Sequence, residues 1–116
     1  MNFLLHRHFA AGAFASDVAG VGAMLPDVWR MADRRVRAVA GVSASEDAAL
    51  DELREGVAHH LAADARFHRA PAFLRGERAV AEAITSAEVT APRARLFAHV
   101  LWELCLDGEL LRRVGL

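Results

Sequence analysis

The sequence predicts an all-α fold, a single compact helical bundle of about five or six helices over residues 1–116. Ala and Arg, both strong helix formers, occur 25 and 14 times. The residues that favour strands, Val, Ile, Thr and the aromatics, are sparse. Apolar residues make up 54% of the chain and charged residues 25%, which is typical of a folded globular domain with one core.

Charge, the N-terminal segment and cysteine content limit the expected partners and the expected location. The formal net charge is −1, so neither a nucleic acid nor an anionic membrane is expected as a partner. The apolar run at the N-terminus is interrupted by His6, Arg7 and His8, so it is not interpreted as a signal peptide. The single cysteine, Cys105, forms no intrachain disulfide and suits a reducing compartment, so a cytoplasmic location is expected.

Three helices are predicted in the first part of the chain. The first covers residues 2–14. Ser16, a residue type favoured at the N-cap, opens a second helix that extends to about Met24. Leu25-Pro26 is expected to end it, because proline lacks an N–H and disfavours helical geometry in the residue before it. Pro26 then occupies the first turn of a third helix.

In the second part of the chain three further helices are predicted after a linker. The linker is GVSAS at 41–45. A long amphipathic helix follows from 46 to about 70 and ends at Pro71. Another helix covers 72–88, and the last helix begins at about 93 and extends to 107 or beyond.

Ionisable side chains lie along the apolar stripe of the helix over 46–70. His60, Asp64 and His68 are spaced i, i+4 and i+8, so they drift only about 80° around the helix axis. Leu53 and Val57 lie in the same sector. Burying these three groups without partners would cost several kcal/mol, so the fold must compensate them.

The last helix repeats this spacing with His99, Glu103 and Asp107. Two helices that face each other across a bundle can direct such side chains to one metal site. Imidazole and carboxylate ligands suit Zn, Mn or Fe, so one or two divalent ions are predicted. A buried hydrogen-bonded network without metal is the alternative.

The N-terminal segments add further candidates. His6 shares a helical face with Phe3 and Phe9 and is predicted to point inward as a ligand. His8 lies on nearly the opposite side and is a weaker candidate, in contact with a ligand rather than with the metal. Asp27, at a predicted helix start, is either a cap or a ligand.

A basic segment follows Asp27. Its four arginines and Asp33 give a local charge of +3, which predicts contacts to a substrate phosphate or an acidic partner. The arginines are Arg30, Arg34, Arg35 and Arg37. A solvated helix face is the other interpretation of this charge run.

Three segments carry a resemblance to a known family. The opening MNFLLHRHFA, with LPDVWR at 25–30, resembles the start of the acyl carrier protein phosphodiesterase family, which begins Asn-Phe-Leu-x-His-x-His. GVAHHLAADARFH at 56–68 is similar to its second motif, and AHVLWELCLD at 98–107 to a later helix. On this match the following residues stand at the family's polar positions: His6, His8, Asp27, His60, Asp64, His68, His99 and Glu103.

The resemblance implies a helical fold related to the HD-type metal hydrolases and a divalent metal, often manganese, that serves to cleave a phosphodiester. The family's substrate is the phosphopantetheine arm of acyl carrier protein. This chain is shorter than typical members, and it has Ala23 and Leu61 where the family has Asn and Arg.

Metal-assisted hydrolysis of a phosphoester is therefore the expected function, with acyl carrier protein or a small phosphoester as partner. In this mechanism Glu103 is the general base or a bridging carboxylate. The alternative is a non-catalytic helical module that binds metal or another protein. The expected ligands are, in order of preference, His60, Asp64, His99, Asp107, His6, His68 and Asp27.

Overall fold

The computed structural model describes residues 2–33, 35, 44, 46–87 and 93–114, and within these residues the chain is all-α, as predicted, with five helices and no strand. The helices are α1 (Phe3–Ala13), α2 (Asp17–Ala32), α3 (Ala48–Phe67), α4 (Pro71–Ser86) and α5 (Ala94–Val114). None of these helices has the length and apolar character that a membrane span requires. The linker predicted at 41–45 lies outside the described residues except for Ala44.

The helices form two compact units. The N-terminal unit, Phe3–Ala65, contains α1, α2 and most of α3. The C-terminal unit, Arg66–Leu116 together with Met1–Asn2, contains the end of α3 as well as α4 and α5. The prediction of a single domain stays a prediction.

Helix α2 continues through Pro26, so the break predicted at Leu25-Pro26 is wrong. A proline inside a helix removes one hydrogen bond and costs about 3 kcal/mol. Here Pro26 is itself buried, and the preceding turns bury Ala19 and Ala23. Packing of the proline and of the turns before it therefore holds the two predicted segments in one helix. The helix begins as predicted, because the Ser16 hydroxyl accepts hydrogen bonds from the backbone N–H groups of the first turn.

Glycines bring the backbones of α2 and α3 into direct contact. A Cβ added at Gly22 would meet the carbonyl oxygen of Leu53 on α3. A Cβ added at Gly56 would meet the carbonyl oxygen of Ala19 on α2. Only residues without a side chain permit this approach. As a result, the backbone next to Gly22 lies against the turn of α3 that contains Gly56.

Helix α3 ends at Phe67, three residues before the predicted end at about Ala70. Ala70 has extended backbone angles (φ −65°, ψ 131°) because Pro71 follows it. The N–H of Ala70 donates to the carbonyl oxygen of Phe67 at 3.0 Å, which closes a turn rather than another α-helical step. His68 therefore lies in a turn after α3 and does not continue the helical stripe of His60 and Asp64.

The C-terminal unit is built from α4 and α5. Phe73 and Ile84 are the buried apolar side chains of α4, and Ala98 is the corresponding residue of α5. Gly76 lies against the ring of Trp102, which a Cβ at residue 76 would overlap. This close packing places Glu77 on α4 beside His99 on α5.

We expect Gly22→Ala and Gly56→Ala each to lower the free energy of unfolding by about 1–3 kcal/mol, because each added methyl group forces two helix backbones apart. Gly12→Ala in α1 is the matched control, since a Cβ there meets no atom within 4 Å. Its higher helix propensity is expected to raise the stability by up to about 1 kcal/mol. Urea unfolding followed by circular dichroism measures all three, and equal effects would contradict the close contact between α2 and α3.

Candidate metal-binding sites

The N-terminal cluster consists of His6, His60 and Asp64. His6 comes from α1, and the other two come from successive turns of α3. One ligand atom from each residue lies within 4.8 Å of the ligand atoms of the others. His6 and His60 are buried, with 3% and 4% exposure, whereas the side chain of Asp64 is 36% exposed. The cluster therefore has a buried imidazole side and a carboxylate that reaches the surface.

A backbone carbonyl fixes the ring of His60. Its Nδ1 lies 2.8 Å from the carbonyl oxygen of Ala23 on α2. A carbonyl oxygen only accepts hydrogen bonds, so Nδ1 carries the proton and donates it. The neutral ring then has its lone pair on Nε2, which is the arrangement found in histidines that bind metals. The close contact at Gly56, one helical turn before His60, brings the Ala23 carbonyl within reach.

The protonation of the N-terminal cluster also suits a metal ligand. Burial lowers the pKa of His60, and the positive charge of His6 lowers it further. The rings of His6 and His60 are in contact, with centroids 3.8 Å apart and planes inclined by 31°. Nδ1 of His6 is buried and has no hydrogen-bond partner among the residues that the structure describes, while its Nε2 is 3.8 Å from Oδ1 of Asp64. This orphaned nitrogen is consistent with a polar ligand that the protein atoms do not supply.

The C-terminal cluster consists of His68, His99 and Glu103. Its ligand atoms also lie within 4.8 Å of one another. His68 lies in the turn before α4, and the other two residues occupy successive turns of α5. Nε2 of His68 donates to Oε1 of Glu103 at 2.9 Å, and Nε2 of His99 lies 3.2 Å from the same oxygen. Two imidazoles thus converge on one buried carboxylate oxygen.

Glu103 is held in its ionised form. Burial by itself raises the pKa of this carboxyl group, but the hydrogen bond from His68 and the positive charge of His99 are among the interactions that outweigh it, and the pKa falls below its usual range. An ionised carboxylate is a good metal ligand and a weak base. This geometry favours the bridging or ligand role for Glu103 over that of general base.

Glu77 is the residue of this cluster that the sequence analysis missed. Its Oε1 accepts a hydrogen bond from Nδ1 of His99 at 3.0 Å. Carboxylates therefore lie at both ring nitrogens of His99, and a neutral imidazole has only one N–H for them. Both carboxylates are satisfied if the ring carries a second proton or if a cation binds at Nε2. The sequence does contain a signal for Glu77. Counted from the buried Phe73, Glu77 lies at i+4 and the buried Ile84 at i+11, so Glu77 shares the buried face of α4.

Both clusters fit a divalent transition metal. Each offers two imidazoles and one carboxylate, the ligand set that suits Zn, Mn or Fe and leaves a position open for water. The ligand atoms of a tetrahedral zinc ion lie about 3.3 Å apart, given metal–ligand bonds of about 2.0 Å. The observed limit of 4.8 Å therefore requires only small side-chain movements.

The other predicted site residues lie outside both clusters. Asp107 is buried one turn after Glu103 on α5. Asp27 is half-buried on α2, where its negative charge raises the pKa of His60 against the larger effect of burial. His8 and Arg30 are exposed, and Arg34 lies outside the described residues.

Comparisons of this chain with protein families, with curated proteins and with solved structures found no match. The resemblance to acyl carrier protein phosphodiesterases therefore depends on the sequence motifs alone.

We expect His60→Ala and Asp64→Ala to weaken Zn²⁺ binding at the N-terminal cluster by more than about 100-fold, because losing only an orienting partner of a ligand typically costs 10–100-fold. His59→Ala and Arg66→Ala are matched controls on α3. The ring of His59 packs edge-on against Phe14, and His59 is not a member of the cluster. Calorimetric titration in a His99→Ala background isolates this cluster, and equal losses at all four positions would contradict it.

Glu77→Ala is expected to weaken Zn²⁺ binding at the C-terminal cluster about 10–100-fold, because His99 loses the acceptor that orients its ring. Glu77→Gln should lose less, since its amide oxygen still accepts from Nδ1. Glu82→Ala, the same change elsewhere on α4, should have no effect. Titration in a His60→Ala background measures the three variants, and an unchanged affinity in Glu77→Ala would refute the orienting role.

Proposed function

We propose that this protein is a metal-dependent hydrolase that cleaves phosphodiesters, with divalent ions held by the N-terminal and C-terminal clusters. One observation carries the proposal. In each cluster an oxygen acceptor binds Nδ1 of one histidine, so that the Nε2 atom is left for the cluster: the Ala23 carbonyl holds His60, and Glu77 holds His99. Hydrogen bonds of this kind orient the histidines of metal sites.

Each cluster has a buried side and a side that reaches solvent. His6 and His60 form the buried side of the N-terminal cluster, and Glu103 forms that of the C-terminal cluster. Asp64 and His68 are partly exposed, with side-chain exposures of 36% and 30%, so a substrate can approach each cluster from solvent. A bound divalent ion would supply a water of lowered pKa near neutral pH and would offset negative charge on the phosphoryl oxygens.

The choice of a phosphodiester as substrate comes from the resemblance to acyl carrier protein phosphodiesterases. All three residues of the N-terminal cluster stand at polar positions of the family's motifs. The three residues of the C-terminal cluster, His68, His99 and Glu103, stand where that family has acidic residues. The phosphopantetheine arm of acyl carrier protein is one candidate substrate, and a small phosphoester is the other. Arg30, exposed near the end of α2, can contact a phosphate or an acidic partner.

A non-catalytic metal-binding module is the second candidate function. The packing of the clusters favours it, because the two rings of the N-terminal cluster are in direct contact and the carboxylate of the C-terminal cluster is already bound by imidazole. Catalysis requires an open coordination position in addition to these groups.

Hydrolysis of bis-p-nitrophenyl phosphate tests the proposal. Protein purified without added metal is analysed for its metal content, then chelated and reloaded with Mn²⁺ or Zn²⁺. Metal-dependent turnover that His60→Ala or His99→Ala abolishes is the expected result. Bound metal without turnover would instead favour the non-catalytic module, and a protein that retains no metal would refute both functions.

Removing the metal is expected to lower the melting temperature by about 15 °C or more. A ligand at a thousandfold excess over its Kd stabilises the native state by about 4 kcal/mol, and a domain of this size shifts by about 4 °C or more per kcal/mol. Differential scanning calorimetry with chelator and with added Zn²⁺ measures the change. Asp64→Asn and Glu103→Gln keep the side-chain shape and should shrink the difference, whereas equal melting of chelated and loaded wild-type protein would indicate a hydrogen-bonded network without metal.

A further inference from the structure

A cavity of about 220 Å³ lies in the C-terminal unit between α4 and α5. Its walls come from both helices: Leu74, Glu77, Arg78, Ala81, Arg95 and Ala98. Glu77 connects the cavity to the C-terminal cluster, because the same carboxylate accepts the hydrogen bond from His99. Ala98 also adjoins the cluster, since it precedes His99 in the chain.

Two arginines give the cavity its chemical character. Arg78 projects from α4 and Arg95 from the first turn of α5, and both are exposed. Neither pairs with a carboxylate among the described residues, although Glu82 lies one helical turn after Arg78. Arg112 and Arg113 near the end of α5, by contrast, both pair with Glu109. The guanidinium groups at the cavity thus keep their donors for an external anion.

We propose that this cavity binds the phosphate group of an organic phosphoester, with Arg78 and Arg95 as its donors. Guanidinium groups bind phosphate oxygens through paired, charge-assisted hydrogen bonds. The cavity wall carries two guanidinium groups against the single carboxylate of Glu77, whose Oε1 accepts the hydrogen bond from Nδ1 of His99. This inference rests on the proposed function, for which it identifies where the substrate binds.

The apolar walls define the rest of the ligand. Leu74, Ala81 and Ala98 supply aliphatic surface beside the arginines. The cavity is smaller than the 300–1,000 Å³ that is usual for drug-sized ligands, so it suits a phosphate with a short organic group. Phenyl phosphate should therefore bind more tightly than inorganic phosphate, which has nothing to place against these side chains.

Binding to the metal-free protein tests the inference separately from catalysis. ³¹P NMR titration with phenyl phosphate, in the presence of chelator, gives the Kd for wild-type protein and for three variants. Arg78→Ala and Arg95→Ala should each raise the Kd about tenfold or more, whereas Arg75→Ala, the control on α4 that does not line the cavity, should leave it unchanged. All three arginines are exposed, so these variants should keep the wild-type circular dichroism spectrum.

The outcomes separate this inference from the proposed function. Loss of binding in Arg78→Ala and Arg95→Ala supports the phosphate site even if wild-type protein hydrolyses no phosphodiester. If the wild type is active, both variants should raise KM for bis-p-nitrophenyl phosphate more than they change kcat. Absence of binding to the wild type, or an equal loss in Arg75→Ala, would overturn the inference and leave the metal clusters untouched.

Discussion

The cost of burying ionisable side chains is the constraint on which the described structure depends. Its helices are rich in alanine, yet they bury His6, His60 and Glu103 to less than one tenth exposure. In the N-terminal unit a backbone carbonyl of α2 compensates the burial of His60 on α3. This hydrogen bond is possible because Gly22 and Gly56 let the backbones of the two helices touch. The C-terminal unit meets the cost with imidazoles that bind the buried carboxylate. In the N-terminal unit this leaves His60 with Nε2 free to bind a metal, and in the C-terminal unit it leaves Glu103 as an ionised carboxylate.

Most of the fold could be predicted from composition and from local signals. Alanine and arginine content indicated helices, and Ser16 was correctly identified as the start of α2. The signals failed where a local preference competes with packing. Pro26 lies inside α2 because it and the turns before it are buried, and no local pattern reveals that burial. At Pro71 the local preference prevailed, and α3 ended earlier than the periodicity of its side chains indicated.

The candidate sites were only partly predictable. Helical spacing identified His60 and Asp64 as neighbours, since four residues separate them on one helix. It also placed His68 with them, but the turn after Phe67 directs His68 to His99 and Glu103 instead. Which residues from different helices meet depends on the path of the chain, which spacing along one helix does not contain.

Counting metal ions per chain tests the central claim most directly, namely that two separate clusters each hold one ion. Native mass spectrometry of Zn²⁺-loaded protein gives this number for the wild type, His60→Ala and His99→Ala. We predict two ions for the wild type and one for each variant, because each substitution removes one cluster and leaves the other intact. A wild-type chain that holds a single ion, lost in either variant, would contradict the claim, since the residues of both clusters would then belong to one site.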